Sequence, residues 1–259
     1  MVRTTGLGWV GLGPGDLPQT TQAPTSAARA CEHRFLEGYT ASLPADQEQE
    51  LAELVGPWTR LMRPDVEDPE ELLRLAAESS VALLVVGDPL QATTHVDLQL
   101  RCHAAGITCD VVHGLSITTV VTGAVGLQSY RFGRQVTLPY PHGDVVPTSP
   151  LEFIIANRDR GLHTLVLLDL DPTGMGVEEQ TPMSPEVAVD VLLRMAGELD
   201  VGLEDWTGVL CSDVGGSNQR IIHGTLDRIA SVSGGRMHCL VIPGRLDDLE
   251  SEALSRWRI

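Results

Sequence analysis

Residues 81–86, Val-Ala-Leu-Leu-Val-Val, are apolar at every position. Successive side chains of a strand point to opposite faces, so such a run must be covered on both sides. That is how a strand inside a parallel sheet reads, with helices packed above and below it. The flanking sequence agrees. Residues 8–13 (GWVGLG) read as a strand ending in a glycine turn, and 107–113 (ITCDVVH) as another strand. Residues 46–55 and 68–78 are acidic amphipathic helices, 93–104 is a further helix, and 20–36 reads as a poorly patterned one. This alternation predicts an α/β domain with a mostly parallel sheet.

A second set of elements follows. Strands are expected at 134–138, 164–169, 207–212 and 237–242, and helices at 149–159, 184–199 and 246–256. Ser149 is the expected N-cap of the first of these helices, with Pro150 at its first position. Residues 171–183 carry turn formers without periodicity and read as a loop. The expectation is two α/β domains, residues 1–113 and 114–259.

The 259 residues are 42% hydrophobic, and no apolar run approaches the roughly 18 residues that span a bilayer. No basic stretch followed by an apolar one opens the chain, so a signal peptide is not expected and the protein is read as soluble and cytoplasmic. The formal net charge is -17, and all 18 basic residues are arginine. Such a surface argues against nonspecific nucleic-acid binding and against anionic membranes. The acids are spread along the chain, which favours adaptation to high salt over complementarity to one basic partner. A GC-rich genome would also replace lysine with arginine. The five cysteines include no C-x-x-C pair. Cys102, His103, Cys109 and His113 lack the tight ligand pairs of a zinc site, so no metal is expected.

Chemistry is expected where strands end. Gly6, Gly8 and Gly11 satisfy G-x-G-x-x-G, but a dinucleotide fingerprint must follow a strand and open a helix, and there is no room here for that strand. The better unit is Gly11-Leu12-Gly13-Pro14-Gly15-Asp16, a ligand-approach turn or a plain tight turn. The second is Gly87-Asp88-Pro89-Leu90-Gln91-Ala92-Thr93-Thr94-His95, just past the buried strand. Ligands of open α/β sheets bind at the carboxyl ends of strands, so Asp88 is read as a ligand contact in preference to a turn former. Thr93 and Thr94 are also suited to capping the next helix. The third unit, Val112-His113-Gly114-Leu115-Ser116-Ile117, offers backbone amides to a cleft or a helix cap at Ser116.

These units, together with Tyr130-x-Phe132-Gly133, Pro147-Thr148-Ser149, Asn157-x-x-Arg160-Gly161-Leu162-His163-Thr164-Leu165 and Val241-Ile242-Pro243-Gly244-x-Leu246, run in order along nearly the whole chain. In this the sequence resembles the diphthine synthases of archaeal type, within the class III (tetrapyrrole-methylase-like) methyltransferases. The resemblance implies two α/β domains with a donor-binding cleft between them, a homodimer, and S-adenosyl-L-methionine as donor, leaving S-adenosyl-L-homocysteine. It implies that the amino group of the 2-(3-amino-3-carboxypropyl)histidine intermediate on translation elongation factor 2 is methylated, up to three times. Carried over position by position, its donor contacts fall on Pro14, Asp88, Gln91, Ser116, Ile117, Leu168, Gly215 and His238. The family usually has leucine where Pro14 stands and an aliphatic residue where Gln91 stands.

Methyl transfer from a sulfonium is an in-line displacement, so the protein mainly supplies orientation. An amine acceptor must be neutral when it attacks. His95 is a candidate base, with capping or packing as its alternative; His163 is read as structural. A class III enzyme acting on a corrinoid or porphyrin precursor is the second reading, supported by Gly13-Pro14-Gly15-Asp16. A non-catalytic sensor of a nucleotide-like ligand is the third.

Overall fold

The computed structural model describes residues 5–143, 145–177 and 180–259. The chain divides into two compact units: Met1–Ile117 with Met175–Gln180 and Gly215–Ser217, and Thr118–Gly174 with Thr181–Val214 and Asn218–Ile259.

The first unit contains, in order, β1 (Gly6–Gly11), α1 (Gln22–Ala30), β2 (His33–Glu37), α2 (Ala45–Val55), β3 (Thr59–Leu61), α3 (Arg63–Glu67), α4 (Glu70–Glu78), β4 (Ser80–Val85), α5 (His95–Ala104) and β5 (Cys109–Val112). Its sheet has the order β3-β2-β4-β1-β5, parallel throughout. Both faces of β4 are buried, as its sequence requires. Val81, Leu83 and Val85 join Leu7 and Trp9 against Leu72 and Ala76 of α4 and Leu98 of α5. Ala82, Leu84 and Val86 join Val10 and Leu12 against Ala28 of α1 and Leu51 and Val55 of α2. Two cores on opposite faces make this a doubly wound sheet.

The second unit contains β6 (Val136–Leu138), α7 (Ser149–Asp159), β7 (Thr164–Leu168), α8 (Pro185–Leu199), β8 (Thr207–Ser212), β9 (Arg220–Thr225), α9 (Leu226–Ala230), β10 (His238–Ile242) and α10 (Asp248–Ser255), and α6 (Ile117–Ala124) precedes them. Its sheet, β6-β7-β10-β8-β9, is mixed, since only β6 and β7 run parallel. Val166, Leu168, Leu210, Leu240 and Ile242 pack with Ile154, Leu192 and Met195 into one core. Behind them, His163 Nε2 donates to Glu250 Oε1 at 3.0 Å, and its Nδ1 accepts from Gly244 N at 3.1 Å. With both groups fully buried, His163 is the structural residue expected of it.

The structure corrects several local readings. The helix expected over 20–36 stops at Ala30, and residues 33–37 form β2. His33, Arg34 and Glu37 hid that strand, because a five-residue run with three ionisable side chains has no apolar alternation to read. The strands β3 and β9 and the short helices α3 and α9 were not anticipated, whereas α6 begins directly after Ser116, where a helix was one of the readings. Ser149 is not the cap of α7: Thr148 holds that position, one residue earlier, and its hydroxyl bonds Glu152 Oε1 at 2.6 Å. Ser184 does cap α8, accepting from Val187 N at 3.2 Å. The described part of 171–183 is loop; residues 178 and 179 lie outside the described residues. Among the described residues no helix is long and apolar enough to cross a membrane.

Candidate active site

In the first unit, β1 has β4 on one side and β5 on the other, and the strands end level: Val10 pairs with both Leu84 and Val112. The sheet order therefore reverses at β1, and a crevice is expected beyond the carboxyl ends of these strands. The turns that follow them meet there. Leu12 N donates to Val85 O at 2.8 Å, Gly13 N to Gly87 O at 3.1 Å, and Gly87 N to Gly13 O at 2.8 Å. Gly13 and Gly87 hold φ of 82° and 88°, which a side chain would resist. Gly114 is wedged against both turns: a Cβ there would come 2.2 Å from Gly87 O and 2.7 Å from the carbonyl carbon of Gly11. The segment Gly215–Ser217 closes on the first turn. A Cβ on Gly215 would reach 2.8 Å from Pro14 O, and Ser217 N donates to Asp16 Oδ2 at 2.8 Å.

Asp88 stands at the centre of this arrangement, 8% exposed. Its Oδ1 accepts from Leu90 N at 3.0 Å, so it does form its own turn. Its Oδ2 accepts from His113 Nδ1 at 2.8 Å. Each oxygen keeps a lone pair for a further donor. Gln91 is exposed in the same loop, where its amide donates to Asp88 O at 3.3 Å, and the next residue, Ala92, is held at φ 55°. Left-handed backbone at alanine costs about 1 kcal/mol, so the loop is strained and must be held from outside.

The holding group is His95. It is 1% exposed, with Nδ1 donating to Pro89 O at 2.8 Å and Nε2 facing the Tyr39 hydroxyl at 3.3 Å. Burial lowers its pKa, so the neutral ring is favoured. Both nitrogens are occupied, which is the packing role. Tyr39 is held in turn: its amide and that of Thr40 donate to Glu37 Oε1 at 3.1 and 2.9 Å. Glu37 is fully buried, and desolvation pushes its carboxyl up to about 7 against the hydrogen bonds from Thr40 and Tyr39.

The expected contacts thus fall in two groups. Pro14, Asp88, Gln91, Ser116, Ile117 and Gly215 all belong to the first unit, on the turns just described or directly after them. Ser116 is buried and Ile117 opens α6. Leu168 and His238 belong to the second unit. Leu168 ends β7 with its side chain in the core. His238 opens β10, with Nδ1 2.8 Å from the Ser212 hydroxyl; desolvation lowers its pKa. Gly6, Gly8 and Gly11 lie within β1 itself and form no nucleotide turn. The pairing of Asp88 with His113 was not legible, although both residues could be read at the ends of apolar runs.

The turns suit a donor of the expected kind. Backbone lies bare at Gly13, Gly87 and Gly114, a Cβ on Gly87 would meet nothing within 4 Å, and the buried Asp88 carboxylate beside it favours hydrogen-bond donors and positive charge.

Comparison with known proteins decides the family. Residues 7–230 match the family model of the tetrapyrrole (corrin/porphyrin) methylases. The diphthine synthase of Methanoregula boonei is 36% identical over 254 residues, covering 97% of this chain and 98% of that protein. That of Methanosphaerula palustris is 36% identical over 251 residues, covering 96% of each. A crystal structure of diphthine synthase superposes with a TM-score of 0.84 at 30% identity, covering 97% of this chain and 95% of that one. The chain belongs to the diphthine synthase family of the tetrapyrrole methylases. It is a methyltransferase, and its methyl donor is S-adenosyl-L-methionine. The turns that carry Gly13, Gly87 and Gly114 follow β1, β4 and β5.

Proposed function

We propose that this chain methylates the amino group of the 2-(3-amino-3-carboxypropyl)histidine intermediate on translation elongation factor 2, up to three times, in diphthamide biosynthesis. The observation that carries the reading is the near full-length likeness to proteins named diphthine synthase. The strand-tip turns around Asp88 support it as a place for the donor. Pro14, Asp88, Gln91, Ser116, Ile117 and Gly215 in the first unit, and Leu168 and His238 in the second, are the proposed donor contacts. A cytoplasmic homodimer belongs to the same reading.

The bound donor supplies a methyl group already activated by its sulfonium. What the chain's residues must add is orientation and a dry surface. The turns at Gly13 and Gly87 are stitched to each other by their backbone groups, so the loops they begin are held in place before any donor binds. Asp88, fixed by Leu90 N and His113, presents a carboxylate that accepts from the donor's amine or hydroxyl groups.

The test is incubation of the purified protein with labelled donor and elongation factor 2 carrying the unmethylated intermediate. Mass spectrometry should show whole methyl increments on that one histidine derivative. No increment on the factor, with transfer to a corrin or porphyrin precursor instead, would replace this substrate with the second reading.

A further inference from the structure

Each round of methylation of an amine needs the nitrogen stripped of a proton, because an ammonium has no lone pair to attack with. The proposed reaction therefore calls for a proton acceptor in the crevice. His95 is walled in, with both nitrogens occupied and the ring 1% exposed. His113 is different in each respect. It follows directly on the carboxyl end of β5, its side chain is 68% exposed, and its Nδ1 lies 2.8 Å from Asp88 Oδ2.

That geometry selects a tautomer. A carboxylate only accepts, so Nδ1 must carry the hydrogen, and in the neutral ring the lone pair then sits on Nε2. Asp88 is itself immobilised by Leu90 N at 3.0 Å. A buried carboxylate so placed fixes the orientation and tautomer of the exposed imidazole. We infer that His113 is the proton acceptor of the methyl transfer, with Asp88 as its positioning residue. The inference rests on the amine acceptor proposed above. His113 Nε2 takes one proton from the substrate ammonium and passes it to water before the next round. The freed lone pair then forms the N–C bond as the C–S bond breaks, and that electron pair stays on sulfur.

Two measurements test this. In the first, ¹⁵N NMR of the neutral ring of His113 reads the tautomer in the protein alone, without substrate. The Nδ1–H form is expected, weakened in Asp88→Asn; the Nε2–H form in the wild type overturns the proposal whatever the substrate is. In the second, His113→Ala is compared with wild type in single turnovers on the elongation factor intermediate. The expected result at saturating donor is a rate lower by on the order of 10²-fold and recovery of rate in proportion to added imidazole. A rate within twofold of wild type, or a loss that imidazole does not relieve, overturns it. If the wild type leaves the factor unmethylated, the substrate reading falls, and the tautomer still decides the Asp88–His113 arrangement.

Discussion

A Cβ on Gly11 would lie 2.4 Å from the backbone nitrogen of Gly114, so the turn after β1 and the turn after β5 touch through bare backbone. Neither partner can yield, because both are held from behind by paired strands. Gly11→Ala and Gly114→Ala should each destabilise the protein by about 1–3 kcal/mol through overpacking. Each should also weaken donor binding, because the turns that form the crevice would part. Urea unfolding and calorimetric titration of the donor measure the two effects. Wild-type stability in either variant would mean that the turns are not in contact.

Asp88→Ala removes the acceptor for Leu90 N and for His113 Nδ1 together. Hydrogen bonds to a charged group are worth about 1.5–3 kcal/mol, so donor affinity should fall roughly ten- to hundredfold. Calorimetry giving an unchanged affinity would take Asp88 out of the donor site.

Glu37 makes stability depend on pH. Its carboxyl is raised by burial from 4.5 to about 7. The folded chain therefore keeps a proton that the unfolded chain has released, and the stability it contributes is full below about 4.5. That contribution is lost as pH rises to about 7 and changes no further above it. Buried histidines whose pKa is lowered, His95 and His163 among them, act in the opposite sense below 6.5. The difference between wild type and Glu37→Gln isolates the carboxyl. Between pH 5 and pH 7.5 the wild type should lose up to about 3 kcal/mol relative to the variant. Parallel stability curves would show that Glu37 titrates normally.

The net charge of -17, without a lysine, should make the fold salt-dependent. Crowded carboxylates repel one another, and molar KCl screens that repulsion to within about 3 Å. The melting temperature should rise on adding molar KCl. A fall would refute adaptation to high salt.

The parts read well from the sequence were those whose signal is local. The strand at 80–85 announces itself because all its side chains avoid water, and α8 because Ser184 and Pro185 open a periodic helix. The strand β2 was missed because burial, not composition, makes it one: Phe35 and Leu36 pair with Leu83 and Leu84 of β4 across the sheet. Cross-strand pairing also hid β9, which exists through its register with β8. Of the site, Asp88, Ser116 and the glycine turns were legible from their place after apolar runs. The partners of His95 were not, since Tyr39 lies 56 positions away in the chain.

Hydrophobic periodicity and turn chemistry act over a few residues, so the sequence by itself determined the strands and helices with a strong local pattern, β4 and α8 among them, and where the glycine turns fall, but not β2 or β9. Which strands become neighbours is decided by long-range packing, and that is a property of the whole fold. Only the order β3-β2-β4-β1-β5 sets the ends of β4 and β5 on either side of β1. Through that placement His113 meets Asp88, a pairing that no local pattern in the sequence announces.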